Sequence, residues 1–101
     1  MATTPKILFR GAATTNTATT LYTVPASTTT IVTSIVITNT ASSTGTFTLA
    51  LGATNLATTV TVGANDSTVL DMKQVLTAAQ TITGGASATT INFHISGVEV
   101  A

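Results

Sequence analysis

The stretch TIVTSIVIT, residues 30 to 38, does most to limit what this chain can fold into. Every residue in it except Ser34 is β-branched. Such side chains are stiff at χ1, fit poorly in a helix and pack well on a pleated surface. Alternation then assigns faces, with Ile31, Thr33, Ile35 and Ile37 expected on one side and Val32, Ser34, Val36 and Thr38 on the other. TFTLAL is cleaner still, since Phe47, Leu49 and Leu51 oppose Thr46, Thr48 and Ala50. TTVTV repeats the pattern, with Val60 and Val62 opposite Thr59 and Thr61.

Further strand-like runs are KILFR (6–10), TTLYTV (19–24), STVLDMKQVL (67–76), QTIT (80–83) and TTINFHISGVEV (89–100). Turn-forming residues separate them at Pro25–Ser27, Asn39–Gly45, Gly52–Asn55, Gly63–Asp66 and Gly84–Gly85. In LDMKQVLTAAQ the positions Leu70, Gln74 and Ala78 fit a helical spacing. Its Val69, Val75 and Thr77, and the alternation of Leu70, Met72 and Leu76, favour a strand. Seven or eight short strands spaced by about ten residues predict an all-β chain, a single antiparallel β-sandwich of jelly-roll or immunoglobulin-like type. Its expected core is Ile35, Ile37, Phe47, Leu49, Leu51, Val60, Val62, Leu70, Ile91, Phe93 and Ile95.

With 101 residues there is room for one domain, 1–101. Residues 1–20 are expected to act as an N-terminal arm or edge strand followed by a polar loop, because GAATTNTATT is made only of small residues. Threonine fills 27 positions, while charged residues make up only 6%, against about 25% in ordinary domains. Net charge is zero, so no electrostatic footprint favours nucleic acid or an anionic membrane as partner. No apolar run is long enough to span a bilayer or form a signal-peptide core. Without cysteine, stability must come from packing or from partner subunits.

Groups able to do chemistry are scarce. Apart from Tyr22, the ionisable side chains are Lys6, Arg10, Asp66, Asp71, Lys73, His94 and Glu99. The single His94 would need at least two more ligands to hold a metal, and no G-x-S-x-G turn presents a serine. No enzyme activity and no cofactor are expected. Asp66 reads as a turn residue beside Asn65, which tolerates positive φ, and Asp71 and Lys73 as a surface pair. Gly84–Gly85 reads as a hairpin turn or a bulge. Tyr22 is the one aromatic that could reach solvent, and its plainer reading is a core-edge ring with its hydroxyl in water.

From Lys6 to Val100, the runs LYTVPA, TFTLAL, TITGGAS and HISGVEV give the chain a pattern that resembles small virion proteins of tailed bacteriophages. The resemblance implies a virion location and a non-catalytic structural role. The leading expectation is a capsid cement or decoration subunit, a homotrimer that contacts the major capsid protein. The alternatives are a tail, adaptor or fibre module, or a glycan- or receptor-binding sandwich. Ice binding would need a regular threonine lattice, which the irregular TVTV, TIT and TFT spacings do not supply.

The resemblance also gives the threonines a purpose. A threonine surface is wettable yet carries no ion to strip on association, whereas an unpaired buried charge costs several kcal/mol. Two of the three cations, Lys6 and Arg10, flank the apolar Ile7, Leu8 and Phe9, while all three acids lie at or beyond Asp66. Lys6 to Arg10 is therefore the candidate partner-binding segment, either a docking arm added to a neighbour's sheet or the chain's own first strand.

Overall fold

Eight strands carry the regular structure: β1 (Thr3–Ala12), β2 (Thr20–Thr23), β3 (Thr29–Asn39), β4 (Gly45–Leu51), β5 (Thr54–Val62), β6 (Ser67–Leu76), β7 (Thr81–Ala86) and β8 (Ile91–Val100). The computed structural model describes residues 2–101, except the side chain of Met72, and no helix occurs among them. The segment with the ambiguous helical spacing is thus a strand, β6.

The strands form two four-stranded antiparallel sheets, sheet A in the order β1-β8-β3-β6 and sheet B in the order β2-β7-β4-β5. First pairs with last, second with seventh, third with sixth and fourth with fifth. The pairing is nested, as in one long hairpin whose arms cross between two layers. Ala2 and Ala101 close its open end with reciprocal backbone bonds of 2.7 and 2.9 Å.

The inner faces of the two sheets share one sandwich-like core. Sheet A contributes Leu8, Val32, Ile35, Ile37, Ile91, Phe93 and Ile95; sheet B contributes Tyr22, Phe47, Leu49, Val62, Ile82 and Ala86. Phe47 and Phe93 meet edge to face across the layers, centroids 6.3 Å apart at 74°, a geometry that the ring quadrupoles favour. Leu51 and Leu70 pack against this core only in part. Val60 departs from expectation at 37% exposed. It lies opposite Phe47 on the edge strand β5, where the register to β4 slips and Thr59 takes a positive φ of 51°. The side chain that should have been capped by sheet A instead lines an open cleft.

The faces assigned to TIVTSIVIT are half reversed. Thr30 and Val32 are fully buried with Ile35 and Ile37, so the inward parity flips at Thr33–Ser34. The cause is an irregularity that crosses the whole sheet. From the Ser96 pairing to the Gly97 pairing, β8 advances one residue, β3 two and β6 three. On the other side, β1 spends Ile7 to Phe9 against Ser96 and Ile95. Extra residues at one level bend a sheet and turn side chains over. Here they turn Leu8 inward, under the space left by Gly97. A Cβ on Gly97 would stand 2.4 Å from the Ile31 carbonyl oxygen and 2.8 Å from Leu8 Cδ1.

Gly84 and Gly85 are no turn: both are buried inside β7. A Cβ at Gly85 would meet the carbonyl oxygens of Asn16 and Thr14 at 2.5 and 2.8 Å, so glycine is needed because another backbone passes close by. That backbone is the low-complexity segment, which finds order against its own chain. Gly84 N–H donates to Thr19 O and Ala86 N–H to Thr14 O, both at 2.9 Å. The β4–β5 reversal is a two-residue turn at Gly52 and Ala53, both at positive φ. Asn65 has φ 53°, as its place in the turn suggests.

Candidate functional site

Lys6 to Arg10 form the middle of β1, the edge strand of sheet A, bonded on one side to β8. The bulge splits them. Leu8 belongs to the core and Phe9 packs partly against it, while Lys6, Ile7 and Arg10 are exposed, Ile7 at 51%. Only the outer edge of this strand and the side chains of Ile7 and Arg10 face away from the fold, while Lys6 reaches Glu99, so a partner would meet a charged and apolar rim rather than a free arm.

The one ion pair among the described residues is built here. Lys6 Nζ stands 3.3 Å from Glu99 Oε2. The Tyr22 hydroxyl donates to the same carboxylate oxygen. Its single proton being so used, the 2.8 Å contact to Thr30 Oγ1 has the threonine as donor. Lys6, Thr30 and Glu99 come from three strands of sheet A and Tyr22 from sheet B, so the cluster ties the layers at the end opposite the β3–β4 turn. Tyr22 is buried at 9% exposure, its hydroxyl held in the cluster rather than in water. Glu99 lies 93 positions from Lys6 and 77 from Tyr22, which is why Lys6 and Tyr22 stand out in the sequence singly but not as one cluster.

The Tyr22 hydrogen bond, helped by the bond and charge of Lys6, outweighs desolvation and holds the Glu99 carboxyl below its usual range. Burial, then the bond to Glu99 and its charge, pushes the Tyr22 phenol up. A carboxylate whose pKa falls on folding stabilises the fold above its unfolded pKa, and the contribution is lost as pH drops through the folded value. A phenol whose pKa rises on folding stabilises below its unfolded pKa, and that contribution is lost as pH climbs through the folded value. The urea midpoint of the native chain is therefore expected to fall between about pH 5 and pH 3 more steeply than that of Glu99→Gln. Parallel acid profiles for the two proteins would refute the coupling.

The remaining candidates lie apart. His94 is half-buried on the outer face of sheet A, opposite Arg10 and Val36. No cluster of three or more His, Asp or Glu occurs among the described residues. Asp71 and Lys73 are exposed and form no ion pair with each other. Asn39 is buried and organises the far end of the molecule. Its Nδ2 donates to Ser43 O at 2.9 Å, and its Oδ1 accepts from Ala41 N at 3.0 Å. An open cleft of about 560 Å³ between the β5 and β6 edges is lined by Phe47, Leu56, Ala57, Val60 and Leu70.

The charges themselves are sorted. Lys6, Arg10, Asp71, Lys73, His94 and Glu99 all lie on sheet A, and Asp66 lies in the β5–β6 turn. Sheet B carries no ionisable group except the inward Tyr22. Its outer rows pair Thr46 with Thr61, Thr48 with Gly85, Ala50 with Thr83 and Thr23 with Thr81. No protein-family model matches the chain, and a search of the curated proteins finds no match either.

Proposed function

We propose that this chain is a structural subunit of a bacteriophage virion, a cement or decoration protein that bridges neighbouring shell subunits without catalysis. The observation that carries the reading is the ion-free outer face of sheet B. Its threonines offer hydroxyls that one hydrogen bond each satisfies, and methyls for packing, so apposition to a large protein surface strips no charged group of water. Many such contacts over a shell add through multivalency. We read the fold as a jelly roll, because the nested pairing of eight strands across two sheets suits that architecture. It does not suit the immunoglobulin arrangement, in which the first two strands share a sheet.

The aromatic rings argue for shell binding over glycan recognition. Tyr22, Phe47 and Phe93 are buried and Phe9 is half-buried against the core, which leaves no ring free to stack on a sugar. Quantitative mass spectrometry of purified virions tests the reading. Copies on the order of hundreds per particle, enough for multivalent coating, are expected. A handful would move the protein to the tail, and none would end the proposal.

A further inference from the structure

The outer face of sheet A is unlike that of sheet B. The strand registers align Pro5, Val98, Ile31 and Val75 in one row across all four strands. Val75 is 60% exposed, and Ile7 joins the row from the adjacent level at 51%. The next rows read Ile7, Ser96, Ser34, Asp71 and then Arg10, His94, Val36, Val69. An apolar row that crosses a whole sheet and ends in solvent is the mark of an interaction surface. Its charges are placed with the same economy. Arg10 is on the β1 edge and Asp71 on the β6 edge, one level apart, both exposed.

We infer that this face is the contact between two copies of the chain, related by a two-fold axis parallel to the strands. Such an axis lays the β1 edge of each copy over the β6 edge of the other while keeping every row at its own level. The Pro5–Val98–Ile31–Val75 row then packs on itself, with Pro5 over Val75 and Val98 over Ile31. Arg10 of each copy reaches Asp71 of the other, so the single charge pair is formed twice, as an isologous contact requires. Exposed Lys73 stays at the rim of β6, where its long side chain keeps its ammonium in water.

The area is sufficient. Four strands at about 4.8 Å spacing and the eight residue-to-residue steps from Asn92 to Val100 cover roughly 500 Å² per copy. The pair then buries about 1,000 Å², the threshold of a specific interface. The resemblance to virion proteins implies three copies; the placement of Arg10 and Asp71 on opposite edges favours two. Sheet B is left free, so this pairing stands whether or not sheet B meets a shell.

Sedimentation velocity at micromolar concentration is expected to give about twice the 10.1 kDa chain mass. Val75→Asp should give a monomer with an unchanged circular dichroism spectrum, since this side chain is mostly in solvent. Arg10→Asp and Asp71→Arg should each raise the dimer dissociation constant by about tenfold or more, because each sets like charges together. The double variant Arg10→Asp/Asp71→Arg should regain native affinity. A monomeric native chain, a trimer, or a dimer indifferent to Val75→Asp would overturn the inference, as would a double variant no tighter than the singles.

Discussion

Phe93→Ala is expected to lower stability by about 3–5 kcal/mol, and Phe47→Ala by a similar amount. Both rings are buried, at 0% and 1% exposure, and each fills the space between the sheets from its own side. A small domain holds only about 5–15 kcal/mol in total, so either variant should lose a large share of its stability. The edge-to-face contact adds a sharper expectation. The double variant should lose about 0.5–1.5 kcal/mol less than the sum of the singles, since the ring–ring term can be removed only once. Urea unfolding of the four proteins measures this. Strict additivity would mean that the two rings do not interact, and unchanged midpoints would mean that they do not form the core.

Gly97→Ala is the second large effect, and it comes from adding a methyl group rather than removing a ring. The new carbon would collide with the Ile31 carbonyl oxygen at 2.4 Å, a backbone atom fixed by the β3–β8 ladder, and with the Leu8 side chain below it. Relief requires sheet A to open at its irregular level. A cost of about 3 kcal/mol is expected, which for a chain of this size lowers Tm by more than about 12 °C. Gly11→Ala is the matched control, because a Cβ there meets only Phe9 ring atoms, the nearest at an ordinary 3.5 Å. Differential scanning calorimetry should separate the two variants widely; equal melting temperatures would show that the close approach at Gly97 is absent in solution.

These two predictions mark where the sequence could be read and where it could not. Strand periodicity and turn residues identified the strands because both are local properties, fixed by β-branching and by positive φ at positions such as Asn65. Ile35, Ile37, Phe47 and Leu49 could be placed in the core for the same reason. Thr30 and Val32 could not, because the flip at Thr33–Ser34 depends on how many residues β1, β6 and β8 contribute at that level. Gly84–Gly85 misled in a related way. A glycine pair looks the same whether it makes a turn or admits a passing backbone, and here that backbone comes from residues 14–19, some 65 positions earlier. The cluster of Lys6, Tyr22, Thr30 and Glu99 joins four strands from both ends of the chain. The segment Lys6 to Arg10 was visible as cations around an apolar run, but the inward turn of Leu8 was not.

The position of β8 has a consequence for how the molecule comes into being. The last strand in sequence lies in the middle of sheet A, between β1 and β3. During synthesis from the N-terminus, β1 and β3 therefore have no shared partner until residues 91–100 emerge, and sheet A cannot close before then. Ile91, Phe93 and Ile95 also bring the inner face of that strand, so the core waits for the same residues. Pairings between distant segments form slowly, and exposed strand edges in an unfinished chain invite aggregation. A nascent chain rich in threonine, with its apolar residues interleaved by hydroxyls, remains hydrated through that interval. The strands of sheet B are all present once Ala86 has emerged, whereas sheet A and its half of the core are completed only by residues 91–100.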